Sequence, residues 1–335
     1  MEKLLIIGCG SIGRRHLTNF RNAGVRFIAG SDPQPSRLEQ AHKQSGLDAQ
    51  YADYEKALSE HRFDAVVIAT PPSMHTEMAL QAAESGCHIF VEKPLAHNLE
   101  RLDKLSAICA DKRLCVFVAY CHRFLPSVKK LKELIESARI GRPYAVTMNW
   151  GSFLPNWHPW EDYRAFYMAR KALGGGALLD ESHGIDLLRY LFGEIEWVSG
   201  DVGTIGDLEI DSDDWASFLL RTRSGVRGKG HFDLMRHDPQ VKLEIIGQKG
   251  SLTWDRIDHR ISVYDAERRS YELLPYTTSD VLMMYPAEVE HFISCVRDGT
   301  KPLVDLEDGI RTLEVVMEIF ESSRTGRART LVNRG

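Results

Sequence analysis

Near its start the chain carries an apolar run, Leu4-Leu5-Ile6-Ile7, that passes without a spacer into Gly8-Cys9-Gly10-Ser11-Ile12-Gly13, and from Arg14 to Arg21 the pattern is helical. A strand that ends in Gly-x-Gly-x-x-Gly and reopens as a helix leaves little choice of fold. Gly8 permits the tight turn, Gly10 lets backbone approach a pyrophosphate, and Gly13 lets the helix pack hard on the sheet. The first N–H groups of a helix lack intrahelical partners and face an anion, so Ser11 and Ile12 join the glycines as candidate phosphate contacts. The motif predicts a doubly wound parallel sheet that binds a dinucleotide.

The following segments fit that frame. A strand over Val25–Ala29 leads to Gly30-Ser31-Asp32, at the spacing where a carboxylate accepts hydrogen bonds from the adenosine ribose. Its charge repels a 2′-phosphate and favours NAD. NADP stays open because Arg37 offers a phosphate partner if the loop turns back, and Asp32 before Pro33 also suits a plain turn. Helical patterns cover Ser36–Ser45 and Tyr54–Glu60, and a strand over Ala65–Ala69 ends in Thr70-Pro71-Pro72. Two prolines there remove N–H donors and stiffen the turn where a nicotinamide would lie. A helix over His75–Ser85 returns the chain to the strand His88-Ile89-Phe90-Val91, which ends in Glu92-Lys93-Pro94. Ligand crevices open at the carboxyl ends of parallel strands, so Lys93 is expected to face a ligand. Read alone, the tripeptide is far more often a surface charge before a helix stop; the rest of the chain turns the reading toward a ligand. A helix over Asn98–Ala110 and a strand over Leu114–Ala119 complete a Rossmann domain at residues 1–121.

With 335 residues the chain exceeds what one core usually sustains, and a second domain is expected. Hydrophobic content of 43% and charged content of 27% are those of a globular protein in water, and no apolar run has the length of about 18 residues that a spanning helix needs. A strand directly after Met1-Glu2-Lys3 leaves no room for a signal peptide, so the cytoplasm is the expected location. A net charge of −5 with interspersed signs lacks the basic stripe of a nucleic-acid binder. The six cysteines contain no Cys-x-x-Cys pair, so buried reduced thiols and no metal site are expected.

In the second half, a strand over Tyr144–Trp150 precedes a long loop, 151–173, that holds Trp157, His158, Trp160, Tyr163, Arg164 and Tyr167. Aromatic faces take the C–H side of a sugar ring and Arg164 and Tyr163 donate to hydroxyls; the same residues also suit a subunit interface. Gly174-Gly175-Gly176 then opens a helix with Asp180, His183 and Asp186 at steps of three, along one face. Leu178, Leu179, Ile185, Leu187, Leu188 and Leu191 surround that row, so its carboxylates and imidazole are buried and need partners. From Glu196 onward the pattern is β: Val226, Gly228, Gly230 and Phe232 alternate with Arg227, Lys229, His231 and Asp233. A sheet with one uncovered face predicts a homo-oligomer, a dimer or a tetramer. Helices over Pro286–Arg297 and Leu306–Ser323 close the chain, giving a second domain at 122–305 and a segment at 306–335 that packs back on the first.

Taken together, Gly8-x-Gly10-x-x-Gly13, Asp32, Thr70-Pro71-Pro72 with His75, and Glu92-Lys93-Pro94 resemble the glucose-fructose oxidoreductase, inositol dehydrogenase and rhizopine catabolism (Gfo/Idh/MocA) family. The resemblance implies a Rossmann domain followed by an α/β domain with a large open-faced, mostly antiparallel sheet. It implies NAD(P)-dependent oxidation or reduction of a sugar, a cyclitol or a derivative, with Lys93 in the active site. Tyr120-Cys121-His122-Arg123-Phe124 looks like the family's crossover segment, which makes His122 and Arg123 candidate substrate ligands; Arg123 equally suits domain packing. Gly174 to Asp186 resembles the Gly-Gly-Gly-x-x-x-Asp…His-x-x-Asp motif that supplies catalytic residues. The step from Asp180 to His183 is one shorter than is common there, so His183 and Asp186 carry over more directly than Asp180. Gly247-Gln248-Lys249-Gly250 resembles the family's sheet turn.

The expected reaction moves a hydride from carbon to nicotinamide and a proton from oxygen to a base. A lysine at its ordinary pKa of about 10.4 is too protonated for this unless burial and the nicotinamide charge lower it; His183 starts nearer neutrality. Either takes the proton, with Asp186 or Asp180 orienting the imidazole and Glu92 positioning Lys93. A silent NAD- and sugar-binding regulator and an NAD-assisted glycosidase are the alternatives on the same scaffold. Neither the sugar, the carbon nor the direction is legible.

Overall fold

The computed structural model describes residues 1–157, 159 and 161–332; the loop candidates His158 and Trp160 lie outside the described residues. The chain divides into two compact units, Met1–Cys121 with Tyr285–Arg311, and His122–Met284 with the residues from Thr312 onward.

In the first unit the elements run β1 (Lys3–Ile7), α1 (Ser11–Asn22), β2 (Phe27–Ser31), α2 (Pro35–Ser45), β3 (Ala49–Tyr51), α3 (Tyr54–Glu60), β4 (Ala65–Ile68), α4 (His75–Glu84), β5 (His88–Val91), α5 (Leu102–Asp111) and β6 (Val116–Val118). The strands form a parallel sheet in the order β3-β2-β1-β4-β5-β6. Leu4–Ile7, Ala65–Ile68 and Ile89–Val91 are buried, as expected of strands covered on both faces. The order reverses between β1 and β4, the switch point where such sheets bind ligands. Register makes the consequence concrete. Ile7 pairs with Ser31 and with Ile68, and Ile68 with Val91, so Asp32, Gly8, the Thr70 turn and Glu92-Lys93 leave the sheet at one level.

The second unit continues with α6 (Pro126–Glu136), β7 (Pro143–Phe153), α7 (Ala177–Asp180), α8 (Ser182–Phe192), β8 (Ile195–Gly203), β9 (Trp215–Thr222), β10 (Arg227–Asp233), β11 (Met235–Gly247), β12 (Gly250–Asp255), β13 (Arg260–Asp265), β14 (Ser270–Pro275) and α9 (Thr278–Leu282); α10 (Met284–Asp298), α11 (Leu306–Thr325) and β15 (Arg329–Thr330) follow. Its nine-stranded sheet, ordered β14-β13-β12-β11-β7-β10-β9-β8-β15, is antiparallel except where β7 runs parallel to β10. One face is packed: Phe218, Met148, Leu243, Trp254 and Ile261 are buried along it, and the Phe232 ring fills the space where a side chain at Gly184 of α8 would go. The other face carries the row Leu219, Lys229, Thr147, Glu244, Thr253, Ser262 and Leu273. Leu219 and Leu273, at its two ends, are 54% and 62% exposed. This is the open-faced sheet expected from the sequence.

Three expectations are corrected. The helix expected to carry Asp180, His183 and Asp186 is two helices, broken at Glu181 (φ −86°, ψ 18°), so a uniform 100° step does not relate Asp180 to the others. Residues 285–305, assigned to the second domain, belong to the first unit: Phe292 of α10 meets the rings of Phe90, Phe20 and Phe117 at 5.5, 6.2 and 6.3 Å, and the Val304 carbonyl accepts from Val118 N–H. The tail expected on the first domain lies with the second. There the Ser322 and Ser323 hydroxyls accept from Gly200 and Val202 N–H at 3.0 and 2.9 Å, and β15 pairs with β8.

Candidate active site

In the first unit the glycine turn has the geometry its spacing requires. Gly8 sits at φ +91°, its N–H donates to the Ser31 carbonyl at 2.8 Å, and a Cβ there would overlap the Ala69 carbonyl. A Cβ at Gly13 would overlap the Gly8 carbonyl, so α1 lies on the turn itself. Gly10 differs: among the described residues nothing lies within 4 Å of where its Cβ would be. Among the described residues no side chain caps α1, which leaves the N–H groups around Ser11 and Ile12 to an anion. The turn thus fits a pyrophosphate.

Asp32 is buried, and its two oxygens accept from the N–H groups of Cys9 and Gln34, each at 2.9 Å. A carboxylate has lone pairs to spare for ribose hydroxyls. Arg37, the residue that kept NADP open, stands 3.8 Å from an Asp32 oxygen. It answers the aspartate's own charge, an arrangement suited to NAD. Burial and the charge of Asp32 push the Cys9 thiol up to about 12, so Cys9 is no nucleophile.

His75 is fully buried; its Nδ1 lies 2.9 Å from the Pro94 carbonyl and its Nε2 2.8 Å from the Thr70 carbonyl. Burial lowers its pKa, and the ring ties the Thr70-Pro71-Pro72 turn to the Glu92-Lys93-Pro94 turn. His75, expected at the cofactor, thus has both ring nitrogens against backbone carbonyls. Glu92 likewise faces inward, with Oε1 2.6 Å from His16 Nε2 and Oε2 accepting from Lys93 N–H at 3.1 Å. The sequence reading did not single out His16. The signal was its place one helical turn after Gly13, on the buried face of α1. Lys93 is half-buried.

In the second unit, Arg123 and Asp186 form a buried bidentate pair, Nε to Oδ2 at 2.9 Å and Nη2 to Oδ1 at 2.6 Å. Asp186 is thereby an anchor for the crossover segment. His183 is 7% exposed; its ring stacks on Trp150 at 5.8 Å and 11°, and meets the edge of His122 at 4.3 Å. Trp150 had been read only as a strand end. Asp180, also buried, accepts a short hydrogen bond from the Tyr167 hydroxyl, which links the aromatic loop to α7. Asp213, missed in the sequence, accepts from Leu178 N–H at 2.9 Å at the start of α7, and burial pushes its carboxyl up to about 6.

The loop 151–173 has short 3₁₀ turns at Tyr163–Ala165, Tyr167–Ala169 and Lys171–Leu173. Trp157 is partly exposed and donates to the Ser152 hydroxyl. The Tyr163 hydroxyl accepts from Glu209 N–H at 3.3 Å, and Arg164 pairs with Asp162 and Glu209 at 2.8 and 2.6 Å. Arg164, expected to donate to a sugar, is engaged with carboxylates in a half-exposed setting.

Comparison with known proteins bears on this geometry. The model of the oxidoreductase family with an NAD-binding Rossmann fold matches residues 3–120, and that of the GFO/IDH/MocA C-terminal domain matches residues 128–253. The chain is 30% identical over 335 residues to scyllo-inositol 2-dehydrogenase (NAD(+)) of Bacillus subtilis, covering 96% of this chain and 94% of that protein. It is 29% identical to myo-inositol 2-dehydrogenase of Thermotoga maritima over 91% of each chain. A structure of levoglucosan dehydrogenase in complex with NADH superposes with a TM-score of 0.87 at 23% identity, covering 98% of both chains, and shows the shared fold. The matches to both domains and the full-length likeness to a named dehydrogenase make this chain a member of the GFO/IDH/MocA family of NAD-binding oxidoreductases.

Proposed function

We propose that the protein is an NAD-dependent dehydrogenase that oxidises a secondary hydroxyl of a cyclitol or a related sugar. The observation that carries this reading is the register of the first sheet, which delivers Asp32, the glycine turn, the Thr70 turn and Glu92-Lys93 to one level. The substrate class is supported by the names of the full-length relatives, two inositol dehydrogenases.

When bound, NAD supplies the hydride acceptor. Asp32, held by two backbone N–H groups, takes the ribose hydroxyls. Lys93 provides a positive charge for the oxygen that loses its proton, and His183 takes that proton. His183 is favoured as the base because an imidazole titrates near neutrality, and the Trp150 face holds its ring plane. Asp180 is set by Tyr167 beside this imidazole's helix. Asp186 acts at one remove, through Arg123. The open sheet face, with Leu219 and Leu273 exposed, is covered by a second copy of the chain. Cys87 and Cys109 are buried thiols outside any disulfide, which suits a reducing compartment, and we assign the cytoplasm. No helix among the described residues is long and apolar enough to cross a membrane.

The test is NADH production on a panel of cyclitols and sugars by the wild type, Lys93→Met and His183→Ala. Each substitution is expected to lower kcat by about 10²- to 10⁴-fold while NADH binding persists. Full turnover by both variants on every active substrate would sink the assignment. Substrate consumption without net NADH would point to a glycosidase that regenerates its cofactor.

A further inference from the structure

The seam between α1 and α10 holds ionisable groups that the mechanism above does not use. Glu288 of α10 is fully buried, and neither carboxyl oxygen has a hydrogen-bond partner among the described residues. Two contacts define the helices' register: Arg15 lies over the Tyr285 ring at 4.3 Å, and Phe20 meets Phe292 at 6.2 Å. Glu288, between Tyr285 and Phe292, therefore faces the stretch of α1 between Arg15 and Phe20, where His16 is fully buried. His16 is the residue that holds Glu92 at 2.6 Å, and Glu92 accepts from Lys93 N–H. The His16 Nδ1 and Asn19 Nδ2 atoms in that stretch are also buried without a partner among the described residues.

A carboxylate in a dry seam without donors is costly, and a second carboxylate nearby makes it costlier. The groups that face Glu288 are Arg15 and His16 from α1, Glu92 from the end of β5, and Tyr285 on its own helix; His291, further along α10, faces Phe117 of β6. Burial first, then the charge of Glu92, holds the Glu288 proton well above the usual carboxylate range, against the pull of Arg15.

We propose that Glu288 is a positioning residue kept as a neutral acid behind Glu92-Lys93, and that its ionisation sets two negative charges in one seam and opens the His16–Glu92–Lys93 link. The effect on turnover rests on the reading of Lys93 above; the protonation state does not. Because the folded value is raised, the folded chain keeps a proton that the unfolded chain releases above pH about 4.5. The contribution of Glu288 to stability therefore falls as pH rises from there to the folded pKa, and levels off beyond it.

Glu288→Gln mimics the neutral acid without titrating. In melts of the full chain across pH, the wild type is expected to lose Tm relative to E288Q as pH rises. In turnover, the alkaline fall of kcat, about tenfold per pH unit for a required acid, is expected to move upward by at least about one unit in E288Q. Parallel Tm curves overturn the proposal, as does a folded, NADH-binding E288Q whose alkaline fall is unmoved. A third readout needs no variant. Above the Asp213 value of about 6 and below the alkaline fall, the infrared carbonyl band of a protonated buried carboxylic acid is expected in the wild type, and its absence overturns the proposal. A fully active Lys93→Met defeats the reading of Lys93 and leaves the melts and the infrared band to decide the state of Glu288.

Discussion

Asp186 and Arg123 show how a residue's neighbours decide its role. As an i+3 partner of His183 the aspartate reads as an orienting group; in the structure both its oxygens go to the Arg123 guanidinium, at 2.9 and 2.6 Å. Breaking a buried pair leaves one charge uncompensated. Asp186→Asn is expected to cost about 3–5 kcal/mol in urea unfolding, and Arg123→Lys, which loses the fork, a large part of that. A loss below about 1 kcal/mol for D186N would show that the pair is not an anchor. Asp213 makes a prediction about pH. Its folded pKa of about 6 lies above the ordinary 3.8, so the folded state holds a proton that the unfolded state gives up between those values. Stability falls as pH rises from 3.8 to about 6, by roughly 3 kcal/mol at most, and is flat above. In Asp213→Asn that slope is expected to vanish from melts over the same range, with the acceptor for Leu178 N–H kept.

At the scale of elements, the strand–turn–helix at the start of the chain is the most constrained piece. A side chain at Gly13 would overlap the Gly8 carbonyl. Gly13→Ala is therefore expected to lift α1 from the turn and weaken NADH binding at least about tenfold in a fluorescence titration, since phosphate recognition depends on where the helix N-terminus lies. This part was legible because its signals are local: an apolar run, three glycines at fixed spacing, then a helical period. The strand β5 was found with its observed ends, His88 and Val91. β3, Ala49-Gln50-Tyr51, was missed because three residues with one polar centre carry no apolar run. The break at Glu181 was missed because Leu178, Leu179, Ile185 and Leu188 keep a helical period through it. Hydrophobic pattern reports which side is buried, and a single non-helical residue leaves that pattern intact.

For the whole molecule, the open face of the second sheet makes the remaining prediction. Leu219 and Leu273 are 54% and 62% exposed at the two ends of one row of paired residues. If a second copy covers that face, Leu219→Glu buries a charge in the interface and is expected to lower the mass seen by sedimentation, with melts of the dissociated chain still cooperative. An unchanged mass for a well-folded variant would place the interface elsewhere. The sequence by itself determined the Rossmann unit, the choice of dinucleotide as ligand, the glycine turn, Asp32 and the Lys93 turn, and the one-sided sheet that follows. Each of these is written in a short run of residues and its local neighbours. Only the tertiary structure decided that α10 completes the first unit, that Arg123 holds Asp186, that His183 stacks on Trp150, and that His16 holds Glu92. Those are contacts between residues far apart in the chain, made by side-chain packing and hydrogen bonds that no local period encodes.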